Sequence, residues 1–234
     1  MNDIKITFSP TQKQVDQIYC WTTFPESNWS SIQMCFQKGN LCVATIKNKP
    51  VGFFAYRLES ISIFIIIAEI KEDQKNKGIG KLIKTELENK YRDIGYKAFN
   101  LYCEPKSSQF IWKKLGFEYY PEKERKNNND LIYMYSIFGD VIKSSTNSYE
   151  QLEKDNTIEI WNSYDPKDKP PIFFSNINCQ PDGMTLSKPV LFFGNYDWKI
   201  RIKYSGKIYE GRYKDYDRSS KVYECFYIEK VKID

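Results

Sequence analysis

The chain has no histidine. The side chain most often used to move protons near neutral pH is therefore missing, and any acid or base must be Tyr, Glu, Asp, Lys, Cys or a chain of waters. A mixed Cys/His zinc site is excluded for the same reason. The six cysteines (Cys20, Cys35, Cys42, Cys103, Cys179, Cys225) contain no CxxC pair, so no metal site is expected. Long apolar runs are also lacking. The longest, Ile61 to Ile70, is about half of the roughly twenty residues that a membrane-spanning helix needs, and its β-branched content reads as a buried strand. The opening MNDIKITFSPTQKQ has no basic start followed by an apolar run, which predicts a cytoplasmic protein with no membrane partner and with reduced, mostly buried thiols. No internal repeat is visible.

What is present suits a folded protein. In 234 residues, 41% apolar and 16% aromatic side chains fill a core for one large domain or two modest ones. Of the 35 Lys+Arg and 30 Asp+Glu, 15 of each lie in residues 139–234, which leaves 20 and 15 for residues 1–138. The positive excess sits N-terminally, as befits a domain with a polyanionic ligand.

The first part alternates strand and helix. A strand at Lys5 to Phe8 precedes helices at Thr11 to Cys20 and Ser27 to Gln37. Leu41 to Lys47 and Val51 to Leu58 then form a hairpin turning on Asn48-Lys49-Pro50, and Ser60 to Ile70 is a long strand. Apolar residues at Ile79, Leu82, Ile83, Leu87, Tyr91 and Ile94 follow a helical period that Gly95 stops. Next come a strand at Ala98 to Cys103 and a short helix from Ser107, its N-cap, to Leu115, with Gly116 as its C-terminal glycine. Strands at Phe117 to Tyr120 and Leu131 to Ile137 flank the polar loop PEKERKNNND.

Beyond Phe138 the helical period fades, apart from a short stretch at Ser148 to Lys154. Strands are predicted at Thr157 to Trp161, Pro171 to Ser175, Pro189 to Phe193, Trp198 to Tyr204, Lys207 to Tyr213 and Lys221 to Val231, separated by DPKDKPP, QPDG and DRSS. The clearest element is a hairpin on Ser205-Gly206, which opposes Ile202 to Tyr209 and Trp198 to Tyr213 on one face and Arg201 to Glu210 on the other. The expected organisation is an α/β domain over residues 1–138 followed by a small all-β domain over residues 139–234.

The segment Lys75-Asn76-Lys77-Gly78-Ile79-Gly80 lies between a β-branched strand and the strongest helix, with Lys81 next to it. A pyrophosphate needs converging backbone N–H groups, and a glycine-bearing helix start supplies them together with the positive end of the helix dipole. This segment resembles the R/Q-x-x-G-x-G/A motif of the GNAT superfamily of N-acetyltransferases. Ile111-Trp112-Lys113-Lys114-Leu115-Gly116-Phe117 resembles that family's second signature, commonly FYEKLGF. The resemblance covers about residues 3 to 138. It implies a mixed, mostly antiparallel sheet flanked by helices and splayed between its fourth and fifth strands. It further implies acetyl-CoA as cosubstrate, with backbone groups of Ala68, Glu69 and Ile70 on the pantetheine arm and the N–H groups of Lys75 to Gly80 on the pyrophosphate, beside Lys81 and Trp112.

The same comparison implies departures. Lys75 stands where the family has Gln or Arg. Trp112 occupies the position of the tyrosine that often protonates the departing thiolate, and indole has no comparably acidic proton. Asn100 stands where some members carry a glutamate base, and Phe64 where others do. Asn100, Tyr102 on the same strand face, and Tyr119 or Tyr120 are the candidate catalytic residues, whereas Glu69 and Glu104 read as strand-end surface carboxylates and Cys103 as core. Glu26 and Trp29, with Trp21 and Phe24, are candidates for an amine acceptor. The expected activity is acetyl transfer to an amine of a small molecule or protein. The alternative is a non-catalytic acyl-CoA-binding module. Homodimers are common in the family. The cancelling charge of the second domain argues against nucleic acid, although Lys199, Arg201 and Lys203 share a strand face, and favours acceptor or partner docking.

Overall fold

Thr11 is the N-cap of the first helix. Its hydroxyl accepts from the Gln14 N–H, and the Gln14 side chain accepts from the Thr11 N–H, a capping box that satisfies two donors at once. Around this start the computed structural model describes residues 4–24, 26–121, 132–145, 148–151, 155–167, 169–216 and 225–233. They fall into two compact units: 4–118 with 132–139, and 119–121 with the described residues from 140 onward.

In chain order the first elements are β1 (Ile4–Thr7), α1 (Gln12–Tyr19), α2 (Glu26–Gln37), β2 (Leu41–Ile46), β3 (Lys49–Leu58), β4 (Ser62–Ile70), α3 (Ile79–Arg92), β5 (Ala98–Cys103), α4 (Gln109–Lys114), β6 (Glu118–Tyr119) and β7 (Ile132–Ile137). They build one seven-stranded sheet in the order β1-β2-β3-β4-β5-β7-β6. The named pairings are antiparallel except β4 with β5, which run parallel. This is the mixed, mostly antiparallel, helix-flanked sheet that the resemblance implies.

Period-2 alternation gives each sheet face its own core. Ile63, Ile65, Phe99, Leu101 and Cys103 pack on Ile83 and Leu87 of α3. Val43, Phe53, Ala55 and Ile67 pack on Val15 and Ile18 of α1 and on Ile32 of α2.

Several boundaries differ from the sequence reading. The β2–β3 turn is Lys47-Asn48, not Asn48-Lys49-Pro50. Both turn residues have positive φ (49° and 63°), the geometry of a two-residue type I′ hairpin; Pro50 pairs with Thr45, and Val51 is the extra residue of a bulge before Gly52 pairs with Ala44. Helix α3 ends at Arg92, so Ile94 leaves the apolar stripe and is 65% exposed. Ser107 is not the cap of α4, because a 3-10 turn over Lys106–Ser108 precedes the helix. Gly116 (φ 82°) does end α4: its N–H donates to Lys113 O and that of Phe117 to Trp112 O, a Schellman pair. Of the PEKERKNNND loop, only Pro121 lies within the described residues.

The second unit holds β8 (Thr157–Ile160), β9 (Phe173–Asn176), β10 (Thr185–Phe193), β11 (Lys199–Tyr204), β12 (Lys207–Arg212), α5 (Tyr213–Tyr216) and β13 (Cys225–Lys230). One sheet runs β12-β11-β8-β9 and the other pairs β10 with β13. The Ser205-Gly206 hairpin has the expected register, Ile202 opposite Tyr209 and Arg201 opposite Glu210, with positive φ at both turn residues. Of the helix expected at Ser148 to Lys154, a 3-10 turn over Tyr149–Gln151 is described; residues 152–154 lie outside the described set. The one-turn helix α5 has no sequence period to reveal it. It is held by phenol hydroxyls: Tyr213 bonds both N–H and C=O of Tyr227, and Tyr216 bonds Lys230 O and Lys232 N.

Four cysteines, Cys35, Cys42, Cys103 and Cys225, are buried, and burial pushes the Cys42 thiol up to about 12. Cys20 is exposed. A thiol reagent applied to the native protein near neutral pH is therefore expected to label Cys20 first and the four buried thiols only after denaturation. Rapid native labelling of Cys42 would contradict this packing.

Candidate active site

Strands β4 and β5 pair only through Ser62 with Ala98, Ile63 with Phe99 and Phe64 with Asn100. Beyond that row β4 continues to Ile70 and β5 to Cys103 without pairing, so the edge of β4 that faces β5 is open. On its other side β4 keeps its ladder to β3, with one irregularity: Ala55 pairs with Ile67 and Tyr56 with Ile65, which leaves Ile66 as the extra residue of a bulge just past the parting. A bulged residue drops out of the ladder and re-aims its backbone groups. Ala68, Glu69 and Ile70 follow on this open edge, and Gly52 lies opposite. A Cβ at Gly52 would come within 2.5 Å of Ile70 Cδ1 and 3.3 Å of Ile79 Cγ2, so this glycine lets the end of β4 and the start of α3 seat against the sheet.

The glycine loop follows. Asn76 (φ 61°) and Gly78 (φ 78°) take the left-handed conformation, and Gly78 is the N-cap of α3. The first intrahelical bond runs from Leu82 N to Gly78 O. Among the described residues the N–H groups of Asn76 to Lys81 have no acceptor, so they form a donor set at the positive end of a 14-residue helix. The lysines differ. Lys75 pairs with Glu72, and Lys77 Nζ donates to Asp73 O (2.9 Å) and Gln74 Oε1 (3.1 Å), whereas Lys81 is exposed and has no partner among the described residues. Leu115 of the second signature closes the loop's flank, its Cδ1 standing 3.8 Å from where a Gly80 Cβ would lie.

Trp112 turns toward the core. Its ring meets Phe54 edge-on at 5.8 Å and Phe117 at 5.0 Å. The position is filled by packing.

Asn100 sits at the foot of the parting, 7% exposed. It shares a cross-strand row with Arg57, Phe64 and Tyr135. Its Nδ2 donates to Glu59 Oε2 at 3.2 Å, while its buried Oδ1 has no partner among the described residues. Glu59 also accepts from Arg57 and from Ser62 Oγ. Glu59 lies in the β3–β4 turn, and nothing in its local pattern singles it out; only strand register brings it to Asn100. Tyr102 shares the Asn100 face as expected, 36% exposed, with its ring 5.8 Å from Phe64 and 6.3 Å from Tyr133. Tyr119 is on β6, two strands beyond β5 in the sheet order. Tyr120 packs on Phe193, 5.2 Å away. Tyr135, which the sequence reading passed over, donates to Glu118 Oε2 at 3.3 Å, and burial first, then that carboxylate, pushes its phenol well above the usual range.

The candidate acceptor residues converge. Tyr19, Thr22, Phe24, Glu26, Trp29 and Ile32 line a cleft of about 250 Å3, with the Tyr19 and Trp29 rings 4.8 Å apart. Trp21 is absent from this lining and packs on Phe53 at 5.9 Å.

Glu69, at the end of its strand, is half-buried and held by the α1–α2 loop. It accepts from Thr22 Oγ1 (2.6 Å), Thr23 N (3.0 Å) and Thr23 Oγ1 (2.6 Å), tying the α1–α2 loop to the open end of β4. Glu104 is exposed, as the sequence suggested. Hydrogen bonds to a charged group contribute about 1.5–3 kcal/mol each when buried and less near solvent, so Glu69→Ala is expected to lower the unfolding free energy by about 2 kcal/mol in urea titration. A change within experimental error would mean that these bonds do not hold the loop.

No protein-family model and no curated protein matches the chain. Solved structures do. The chain is similar to a PaiA N-acetyltransferase from Thermoplasma acidophilum in complex with coenzyme A, with 14% identity over 58% of this chain and 99% of that one and a TM-score of 0.46. It is similar to an acetyltransferase of the GNAT family from Staphylococcus aureus Mu50, with 12% identity over 57% and 98% and a TM-score of 0.46. An aminoglycoside 6'-N-acetyltransferase complexed with coenzyme A gives 13% identity over 57% and 96% and a TM-score of 0.47.

Proposed function

We propose that residues 1–138 bind acetyl-CoA and transfer its acetyl group to an amine. The observation that carries this reading is the continuous run from the β4–β5 parting, through the Ile66 bulge and the open edge of Ala68 to Ile70, into the unpaired N–H groups of Asn76 to Lys81. An extended amide-bearing arm fits the open edge, and a pyrophosphate fits the donor set, with Lys81, unpaired among the described residues, adding charge. Lys75 and Lys77 contribute their backbone N–H groups. Trp112 walls the region through its packing.

Acetyl-CoA supplies the activated acyl group: the new C–N bond forms as the C–S bond breaks. The chain's own residues orient the amine, whose proton passes through water to the departing thiolate. Glu26 attracts an ammonium group into the cleft, where the rings of Trp29 and Tyr19 favour a cation. Thr22, shared between that cleft and the Glu69 anchor, links acceptor to strand. Asn100 and Tyr102 are the polar groups on the β5 face at the parting, with Tyr102 the phenol there and Tyr119 a further phenol on β6. Water carries the proton away, and positioning supplies most of the rate.

Trp112 favours one second reading, an acyl-CoA-binding module without turnover, because its packed indole removes the family's acid. Isothermal titration with acetyl-CoA, followed by thiol release over a panel of amines, separates the two. Binding with release supports the transferase, binding without release the module, and no binding neither.

A further inference from the structure

The last cross-strand row before β4 and β5 part is Arg57, Phe64, Asn100 and Tyr135. The Arg57 guanidinium lies over the Phe64 ring, 3.9 Å from its centroid, and its Nε and Nη2 donate to Glu59 Oε1 at 3.2 and 3.1 Å. The other carboxylate oxygen, Oε2, accepts from Ser62 Oγ at 2.9 Å and from Asn100 Nδ2 at 3.2 Å. The Glu59 backbone is fixed too, its N–H donating to Ser62 O at 2.9 Å.

This arrangement decides which way the Asn100 amide points. A carboxylate offers only acceptors, so it takes Nδ2 and not Oδ1. Glu59 and Ser62 stand at the closed end, where β4 and β5 still pair. The two arms of a planar amide diverge, so holding Nδ2 toward that end turns Oδ1 away from it, to the side on which Tyr102 follows along the same face and the strands are parted. Asn100 is 7% exposed, and Oδ1 is buried without a partner among the described residues. A buried acceptor left open is rare in folded proteins and calls for a donor.

We infer that Glu59 is a positioning residue, which sets the Asn100 amide so that Oδ1 accepts an N–H from the attacking amine. The inference rests on the acetyl-transfer reading and gives it a substrate class, primary amines. As the neutral amine attacks the thioester carbonyl, its nitrogen takes on positive charge and its N–H groups become stronger donors. A bond to Oδ1 is therefore stronger in the transition state than in the ground state. A primary amine carries two N–H groups. One stays on nitrogen, bonded to Oδ1, and becomes the N–H of the product amide. The other leaves as a proton that water passes to the thiolate while the C–N bond forms and the C–S bond breaks. A secondary amine has a single N–H and must give it up, so it loses the bond to Oδ1 before the amide is complete.

The test uses the full chain with benzylamine, ethanolamine and Nα-acetyl-lysine, each beside its N-methyl counterpart. Thiol release from acetyl-CoA is expected to favour the primary amine of a pair by about tenfold or more in kcat/KM. Glu59→Gln puts an NH2 where it can take Oδ1 and turn the Asn100 amide over. Its kcat is expected to fall about tenfold or more, while acetyl-CoA affinity by calorimetry stays within about twofold of the native value. Asn100→Leu is expected to lose as much, and Glu59→Gln added to it to cost nothing further, since Glu59 acts only through Oδ1. With CoA in place of acetyl-CoA, the most active of these amines is expected to shift the Asn100 side-chain NH2 resonances in the native chain and not in Glu59→Gln. A native chain that binds no acetyl-CoA, or releases no thiol with any of these amines, removes the acetyl-transfer reading and the inference with it. The inference alone is overturned if the native chain releases thiol while Glu59→Gln keeps the native kcat, or while Glu59→Gln lowers kcat equally with and without Asn100→Leu; Oδ1 then holds a resident water only.

Discussion

Gly80→Asp is expected to fold as well as the native chain and to lose acetyl-CoA binding by about a hundredfold or more. The two halves of this result separate a structural glycine from a ligand-binding one. Gly80 lies in the first turn of α3 with ordinary negative φ, and a Cβ there meets only Leu115 Cδ1 at 3.8 Å, so a side chain fits. An acidic residue in the first turn of a helix stabilises it by roughly 0.3–1 kcal/mol through the dipole. The melting temperature is therefore expected to hold or rise slightly. The same carboxylate would stand among the N–H groups proposed to hold the pyrophosphate. Like charges about 4 Å apart at an effective dielectric constant of about 20 repel by roughly 4 kcal/mol, which is ample for the loss. Calorimetric titration against thermal melts reads both halves. A well-folded Gly80→Asp protein that binds acetyl-CoA as the native chain does would remove this loop from the proposed site.

Arg201→Ala is expected to destabilise the protein by about 3 kcal/mol, the cost of leaving a buried charge short of a partner. Glu159, at 1% exposure, would retain only Lys203 and the Tyr149 hydroxyl. Removing the charge along with its partner is different. Arg201→Met combined with Glu159→Leu is expected to recover most of the loss, because well-packed apolar residues replace the pair without stranding an ion. Urea titrations of the two variants make the comparison, and equal destabilisation of both would contradict it.

The pH dependence has a definite sign. Arg201 first, then Lys199, holds the Glu210 carboxyl down to about 2, below its ordinary 4.5. A carboxyl depressed in the folded state contributes stability that is complete above its ordinary value and is lost as pH falls toward the folded one. Without Arg201, Glu210 is expected to take up its proton closer to 4.5, and acid unfolding should move to higher pH.

The first unit was largely legible in the sequence because its signals are local. The apolar period of Ile79, Ile83, Leu87 and Tyr91 needs only the helix repeat, and those four residues are buried. The glycine loop was legible for a similar reason: strand, loop and helix are adjacent in the chain, so their order alone sets a donor-rich helix start. Boundaries were read less well where a neighbour decides them. Ile94 fits the period yet lies past the end of α3, and Lys47-Asn48 makes the turn because both residues adopt positive φ.

What only tertiary structure decided is pairing between distant segments. Glu59 and Asn100 are 41 residues apart, and Glu69 and Thr22 are 47 apart, so no local period announces either bond. The splay itself depends on where β4 and β5 stop pairing, a property of two strands and not of either sequence. In the second unit the hairpin register was readable from one turn, since a two-residue loop sets opposite partners. The burial of Glu159 was not. It needs β8 and β11 side by side with the Tyr149 turn above them, and a carboxylate in a strand looks solvated until cations from the neighbouring strand close over it.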